Sequence, residues 1–137
     1  MIEKELAKEY LDYCRTLGFQ ISAKLEQRKK MLAKAIYSSP NFEGASGHTG
    51  VSDKVQNITN EILLLDQEVE RFQNHRLQVL KTIVLIDDPN IRNVTADFYF
   101  NCFTYTRISR NYRISKSTLK RRLKKGVEEI EKILNSS

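Results

Sequence analysis

Between Val55 and Ile86 the chain carries an apolar seam at alternating spacings of three and four. It runs Val55, Ile58, Ile62, Leu65, Val69, Phe72, Arg76, Val79, Ile83, Ile86, with Arg76 the one polar member. A seam sustained for about five heptads is a coiled-coil signal and commits the chain to a long helix with a partner helix. The partner is either an earlier helix of the same chain or the same helix of a second copy. Leu63, Leu64, Leu77, Leu80 and Val84 widen the apolar face at both ends, which argues for more than one partner. Arg76 at a seam position either sets the register or reaches outward on its aliphatic stem.

A candidate partner lies upstream. Residues 1–37 read as an amphipathic helix with a stripe of Leu6, Tyr10, Tyr13, Leu17, Ile21, Leu25, Leu32 and Ile36. Gly18 is expected to kink or break it. The Arg28-Lys29-Lys30 run is read as a solvated face. Residues 38–52, SSPNFEGASGHTGVS, are a linker by composition, and His48 is expected to face solvent. They contain no phosphate-cradling glycine pattern with its lysine. The long helix is then expected over 53–87, started by Ser52 or Asp53 and stopped by Asp88-Pro89-Asn90. The fold expected is all-α: a helical hairpin of long coiled-coil-like helices, followed by a C-terminal domain over 91–137.

That last segment holds the charge. The chain has 23 basic and 17 acidic residues, and nine of the basic ones fall between Thr104 and Lys125 with no acid among them. They are Arg107, Arg110, Arg113, Lys116, Lys120, Arg121, Arg122, Lys124 and Lys125. Without them 14 basic residues face 17 acidic ones, so the positive charge of the protein is local. Local cationic charge on a short helical segment is the electrostatic footprint of a phosphate-binding surface.

The segment has internal order. Thr104 can cap a short helix over Tyr105–Tyr112, and Ser115 a second one on which Leu119, Leu123, Val127, Ile130 and Leu134 recur. A short helix, a tight turn and a longer basic helix form a helix-turn-helix. Ile108, Tyr112, Ile114 and Leu119 are its expected core, and Ser109 sits where the helices cross closely. A solvated or membrane-lying helix is the plainer alternative. A membrane-lying helix needs a broad apolar face, whereas Ser115–Lys125 offers only Leu119 and Leu123. Upstream, Val94, Phe98 and Cys102 are expected inward on a short helix over 91–102. The cluster of Phe98, Tyr99, Phe100, Phe103 and Tyr105 is read as core packing in preference to a stacking platform for single strands.

In a helix-turn-helix the second helix enters the major groove, and its first two turns meet base edges. Lys116, Ser117, Lys120 and Arg121 are therefore the expected base contacts, and Thr104, Arg107, Arg122, Lys124 and Lys125 the expected phosphate contacts. No catalytic constellation, metal-ligand spacing or cofactor motif appears, so no enzyme is read. Cys14 and Cys102 are expected to be free thiols, and Glu128, Glu129 and Glu131 solubilising outward residues. The N-terminus lacks a secretory apolar region and no apolar run is long enough to span a bilayer, so the expected location is the cytoplasm of a bacterial host cell.

The stretch RISRNYRISKSTLKRRLKKGVEEI resembles the C-terminal DNA-binding motif of sigma factors, region 4. The match runs from Ile108 through Ser115, Thr118-Leu119 and Arg122-Leu123 to Lys125-Gly126. The family often has Ala at the position of Ser109, Gly at Arg113 and Ala at Gly126. The Arg113 position often needs φ > 0, which a non-glycine residue adopts at a cost. A long helix before such a motif in about 140 residues is similar to the phage-encoded ArpU/RinA class of late transcriptional regulators. The resemblance implies a sequence-specific double-stranded DNA-binding activator acting at a phage or prophage promoter region, with host RNA polymerase as a further partner. A dimer is expected, since pairing within one chain leaves the wide apolar face partly bare. The rival reading is a helical DNA-packaging protein such as a small terminase subunit; a protein-only adaptor is a third.

Overall fold

The computed structural model describes residues 3–38 and 49–136. Of the expected 38–52 linker, residues 39–48, His48 among them, lie outside the described residues. Every regular element among the described residues is helical, as expected: α1 Lys4–Ser38, α2 Thr49–Ile83, α3 Pro89–Thr95 with a π-helical continuation Ala96–Phe100, α4 Tyr105–Tyr112 and α5 Lys116–Ser136. None of these helices is long and apolar enough to cross a membrane. The chain divides into two compact units, Met1–Phe19 with Gln73–Ser137, and Gln20–Phe72.

The second unit is an antiparallel pair made by the remaining lengths of α1 and α2. Lys24 Nζ lies 2.7 Å from Glu68 Oε1, and Arg28 Nε donates to Asp66 Oδ1 at 2.7 Å. The order of these pairs fixes the opposed helix directions. Half-exposed pairs of this kind set orientation more than they stabilise. Between the helices lie Ile21, Ile58, Ile62, Leu65 and Val69. The seam read from the sequence is thus the buried stripe of α2, and the partner it meets is the same chain's α1.

The stripe expected on α1 holds at Leu17 and Ile21, and in part at Tyr10, but not elsewhere. Leu6, Tyr13, Leu25, Leu32 and Ile36 are exposed, while Ala7, Leu11, Cys14, Leu17 and Ile21 are buried. The inward stripe mixes the small Ala7 and Cys14 with Leu11, Leu17 and Ile21. Gly18 neither kinks nor breaks α1: a Cβ there would stand 2.5 Å from Cys102 Sγ and 3.0 Å from Arg76 Nη2, so only glycine allows the approach.

In the first unit Leu11, Cys14, Val79, Ile83, Val94, Ile108, Leu119 and Ile130 are fully enclosed in one core. Helix α2 ends at Ile83, before the expected stop. Its last turn tightens, with Leu85 N–H bonding to Thr82 O at 3.1 Å and Ile86 N–H to Ile83 O at 3.0 Å, and Arg92 Nη1 donates to the freed Ile86 carbonyl at 2.9 Å. Pro89 begins a helix instead of ending one. It occupies the first turn of α3, where its missing N–H costs nothing, and Asp88 caps it by accepting from Asn90 N at 2.8 Å.

The π-helical turn is held by two arginines. Arg15 donates to the Phe98 carbonyl and, at 3.2 Å, to the Phe103 carbonyl. Arg76 donates to the Phe100 carbonyl and, at 3.1 Å, to Cys14 O. Each guanidinium also lies over a ring, Arg15 at 4.0 Å from Phe98 and Arg76 at 4.5 Å from Phe100. Arg76 therefore turns inward and binds carbonyls, which satisfies a cation at an otherwise apolar seam. Burial pushes the Cys14 thiol up, against the opposing effect of Arg76. Both cysteines are free thiols.

Candidate nucleic-acid interface

Helices α4 and α5 form the basic end of the first unit. Thr104 is the N-cap of α4, and its hydroxyl accepts from Arg107 N at 3.2 Å. Arg113 ends α4 in the left-handed conformation, φ 54° and ψ 47°, and Ile114 N–H returns to Ser109 O at 3.0 Å. Ser115 caps α5, accepting from Thr118 N at 3.1 Å. The reading of caps and turn matches this geometry. Arginine occupies the left-handed site at a cost of about 1–2 kcal/mol relative to a residue without Cβ.

The small core differs from expectation at one place. Ile108 and Leu119 are fully buried and Ile114 is half-buried, but Tyr112 keeps 37% of its surface in water. Its hydroxyl donates to Asp97 Oδ2 at 2.5 Å, and burial followed by this bond pushes the phenol up to about 12. Ser109 Oγ is buried without a hydrogen-bond partner among the described residues, which fits a position chosen for small size. Gly126 is explained by α3: a Cβ there would lie 2.2 Å from Thr95 Oγ1, which is itself committed to Ile91 O at 2.7 Å.

The helical period sorts the basic residues of α5. Leu119, Leu123, Gly126, Val127 and Ile130 face the core. Ser117, Arg121 and Lys125 stand opposite, with the half-buried Glu128 on the same side. Lys120 and Lys124 flank this strip on one side and Arg122 on the other, while Lys116 is exposed at the first position of the helix. All are exposed except Arg122 and Glu128, which are half-buried. Arg121, Arg122, Lys124 and Lys125 line one shallow hollow together with Ile91 and Glu128. Arg121 Nη2 reaches Thr118 Oγ1 at 3.4 Å. Arg107 is exposed at the start of α4, its guanidinium 3.7 Å from the Phe103 ring centroid.

Two features were not read from the sequence. Glu128 is no idle solubiliser: it accepts Lys4 Nζ at 3.3 Å and stands 3.9 Å from Lys125 Nζ, placing a carboxylate inside the basic surface. Glu129 pairs with Lys132 at 3.4 Å, and all three glutamates of α5 are half-buried. In addition, Lys4 and Lys8 of α1 join Lys120 and Lys124 around a second hollow, floored by Tyr99, Leu123 and Val127. No local pattern could have revealed this, because the groups are more than a hundred residues apart.

The aromatic cluster serves packing. Tyr99 is buried, Tyr105 stacks on Phe98 at 4.9 Å with 2° between the planes, and the faces of Phe98, Phe100 and Phe103 carry arginines. Among the described residues no group of three His, Cys, Asp or Glu side chains could hold a metal ion. No protein-family model, curated protein or solved structure matches the chain.

Proposed function

We propose that this chain is a sequence-specific double-stranded DNA-binding transcriptional regulator whose C-terminal α4–turn–α5 is a sigma region 4-like helix-turn-helix. The observation that carries the reading is the exposed strip of α5. Ser117, Arg121 and Lys125 stand opposite the core stripe, with Lys120 and Lys124 beside them and Lys116 exposed at the start of the helix. A cationic helix with its basic side chains exposed can enter a major groove and present donors to guanine edges. Lys116, Ser117, Lys120 and Arg121 are assigned to bases, and Arg107, Arg122, Lys124 and Lys125 to phosphates. The Thr104 hydroxyl is engaged as a cap, so the contribution of that position to a phosphate is the exposed N-terminus of α4. The resemblance to the ArpU/RinA class supports a phage or prophage promoter region as the target, activation as the outcome and host RNA polymerase as a contact. It also supports a bacterial cytoplasmic setting.

The test is footprinting on the DNA that surrounds the protein's own gene, followed by anisotropy titrations across salt. With about four to six phosphate contacts per subunit, log K should fall with log salt at a slope of roughly −4 to −5. Lys120→Ala and Arg121→Ala should each cost about 1–3 kcal/mol on the cognate site and much less on random DNA. Lys124→Ala should weaken both alike. A flat salt response, or identical behaviour of the three variants on both DNAs, defeats the assignment.

A second reading is favoured by one observation. Leu63, Leu64 and Leu77 of α2, and Val84 and Leu85 just after it, are all exposed, although α1 already pairs with the seam. Such a face suits assembly with further copies, as in a dimeric regulator or a ring-forming DNA-packaging subunit. Light scattering separates them: a dimer mass supports the regulator, and a ring of many copies the packaging protein.

A further inference from the structure

We infer that the hollow between the first turns of α1 and the middle of α5 is a binding site for a small organic anion with an apolar body, and that its occupant competes with DNA for Lys120 and Lys124. The hollow has a volume of about 310 Å³, within the range of small-ligand sites. Its floor is Tyr99, Leu123 and Val127, with Tyr105 at the side. Its rim holds Lys4, Lys8, Lys120 and Lys124 against one carboxylate, Glu5. An apolar floor under ammonium groups matches a molecule with a hydrocarbon or aromatic body and a carboxylate or phosphate head.

The lysines are not equivalent. Lys4 is tied to Glu128 at 3.3 Å, and Lys8 stands 3.6 Å from Asp12. Lys120 and Lys124 have no carboxylate within ion-pair distance among the described residues, and Lys120 Nζ lies 5.9 Å from the Tyr105 ring centroid. These two are therefore the groups available to an incoming anion. They are also assigned to DNA above. Lys124 lines both this hollow and the one beside Arg121 and Arg122, so an acid held here draws it away from a phosphate. The competition rests on the DNA-binding reading; the binding of the anion does not.

The size of the hollow favours a small acid over a peptide, which would need a longer groove. The experiment is an amide-resolved NMR titration of the full chain with hexanoate, phenylacetate, phenyl phosphate, neutral phenylacetamide and inorganic phosphate. At least one of the three amphiphilic anions should give saturable shifts at Lys8, Tyr99 and Lys120–Val127, with a Kd of about 1 mM or tighter. Phenylacetamide and inorganic phosphate should bind about tenfold more weakly or not at all. Glu5→Trp, at an exposed position on the rim, should block the hollow and abolish these shifts while leaving DNA affinity within about twofold of the parent. The bound acid should lower the DNA affinity of the parent by about fivefold or more and leave that of Glu5→Trp unchanged.

Shifts that do not reach Tyr99, Leu123 and Val127 with any of the three acids overturn the site. Equal binding of phenylacetamide overturns anion recognition. An acidic peptide with a central Phe that binds more tightly than every small acid overturns the small-ligand assignment in favour of a protein partner. Site-specific binding with unchanged DNA affinity overturns the competition alone. A protein that binds the acid but no DNA overturns the regulator reading and leaves the site standing.

Discussion

The same seam runs through both units of the protein and is enclosed in only one of them. In the first unit Val79 and Ile83 expose nothing, and Leu11, Ile108, Leu119 and Ile130 from other elements close around them. In the second, Ile58, Ile62, Leu65 and Val69 each keep 8–9% of their surface in water. Two helices can cover each other along one stripe only; a core with no solvent contact needs a further layer. Periodicity thus reports which side of a helix turns inward, and the number of neighbouring elements decides how far.

The sharpest way to break this comparison is to truncate one residue in each unit. Leu119→Ala should cost about 3–5 kcal/mol in denaturant unfolding, because the enclosed site cannot collapse. Leu65→Ala should cost about 2 kcal/mol or less, since water already reaches that position. Equal losses would mean that the second unit is as closely covered as the first.

A smaller effect is expected where α5 meets α3. Gly126→Ala places a methyl against the Thr95 hydroxyl and should cost about 1–3 kcal/mol. Thr95→Ala in the same chain should recover most of that loss, giving a coupling energy of about 1 kcal/mol or more in a double-mutant cycle. Simple addition of the two changes would show that the close approach does not limit stability.

Arg113→Gly should stabilise by about 1 kcal/mol, as relief of the left-handed strain exceeds the added entropy of the unfolded chain. A raised midpoint in thermal or denaturant melts would confirm it; a lowered one would mean the arginine side chain contributes more than its backbone loses.

The smallest effect belongs to the exposed face. Leu64→Lys should change the stability of a monomer by less than about 0.5 kcal/mol. A larger loss, accompanied by a lower mass in light scattering, would show that a second copy covers the position.

Much of this was legible where one physical cause acts alone. The seam of α2, the caps Thr104 and Ser115 and the turn at Arg113 follow from period, side-chain hydrogen bonding and turn geometry. The inward face of α1 was legible only at Leu17 and Ile21, because apolar residues lie on several of its sides and the buried stripe also takes in Ala7, Cys14 and Gly18, whose value is small size. Pro89 was read as a stop because proline ends one helix and starts another by the same missing donor. The π-helical turn escaped notice since its partners are backbone carbonyls, which leave no mark in a side-chain pattern. In the candidate interface the basic residues of α5 were legible as a local cluster of charge. Their neighbours Lys4 and Lys8 were not, as only the tertiary fold brings them near.

The Arg76 clamp has a consequence for how such a protein can change over time. Gly18, Cys102 and the carbonyls that receive Arg76 all belong to the first unit, so the fit between α1, α2 and the π-helical turn is settled there. The length of the second unit is then a free variable. Seven residues added to each long helix between Gln20 and Phe72 would repeat the seam and extend the pair by about 10 Å, at 1.5 Å per residue, without disturbing one contact of the clamp. Lineages could lengthen or shorten this helix pair in whole heptads, and the packing of α4 on α5 would not need to be refitted.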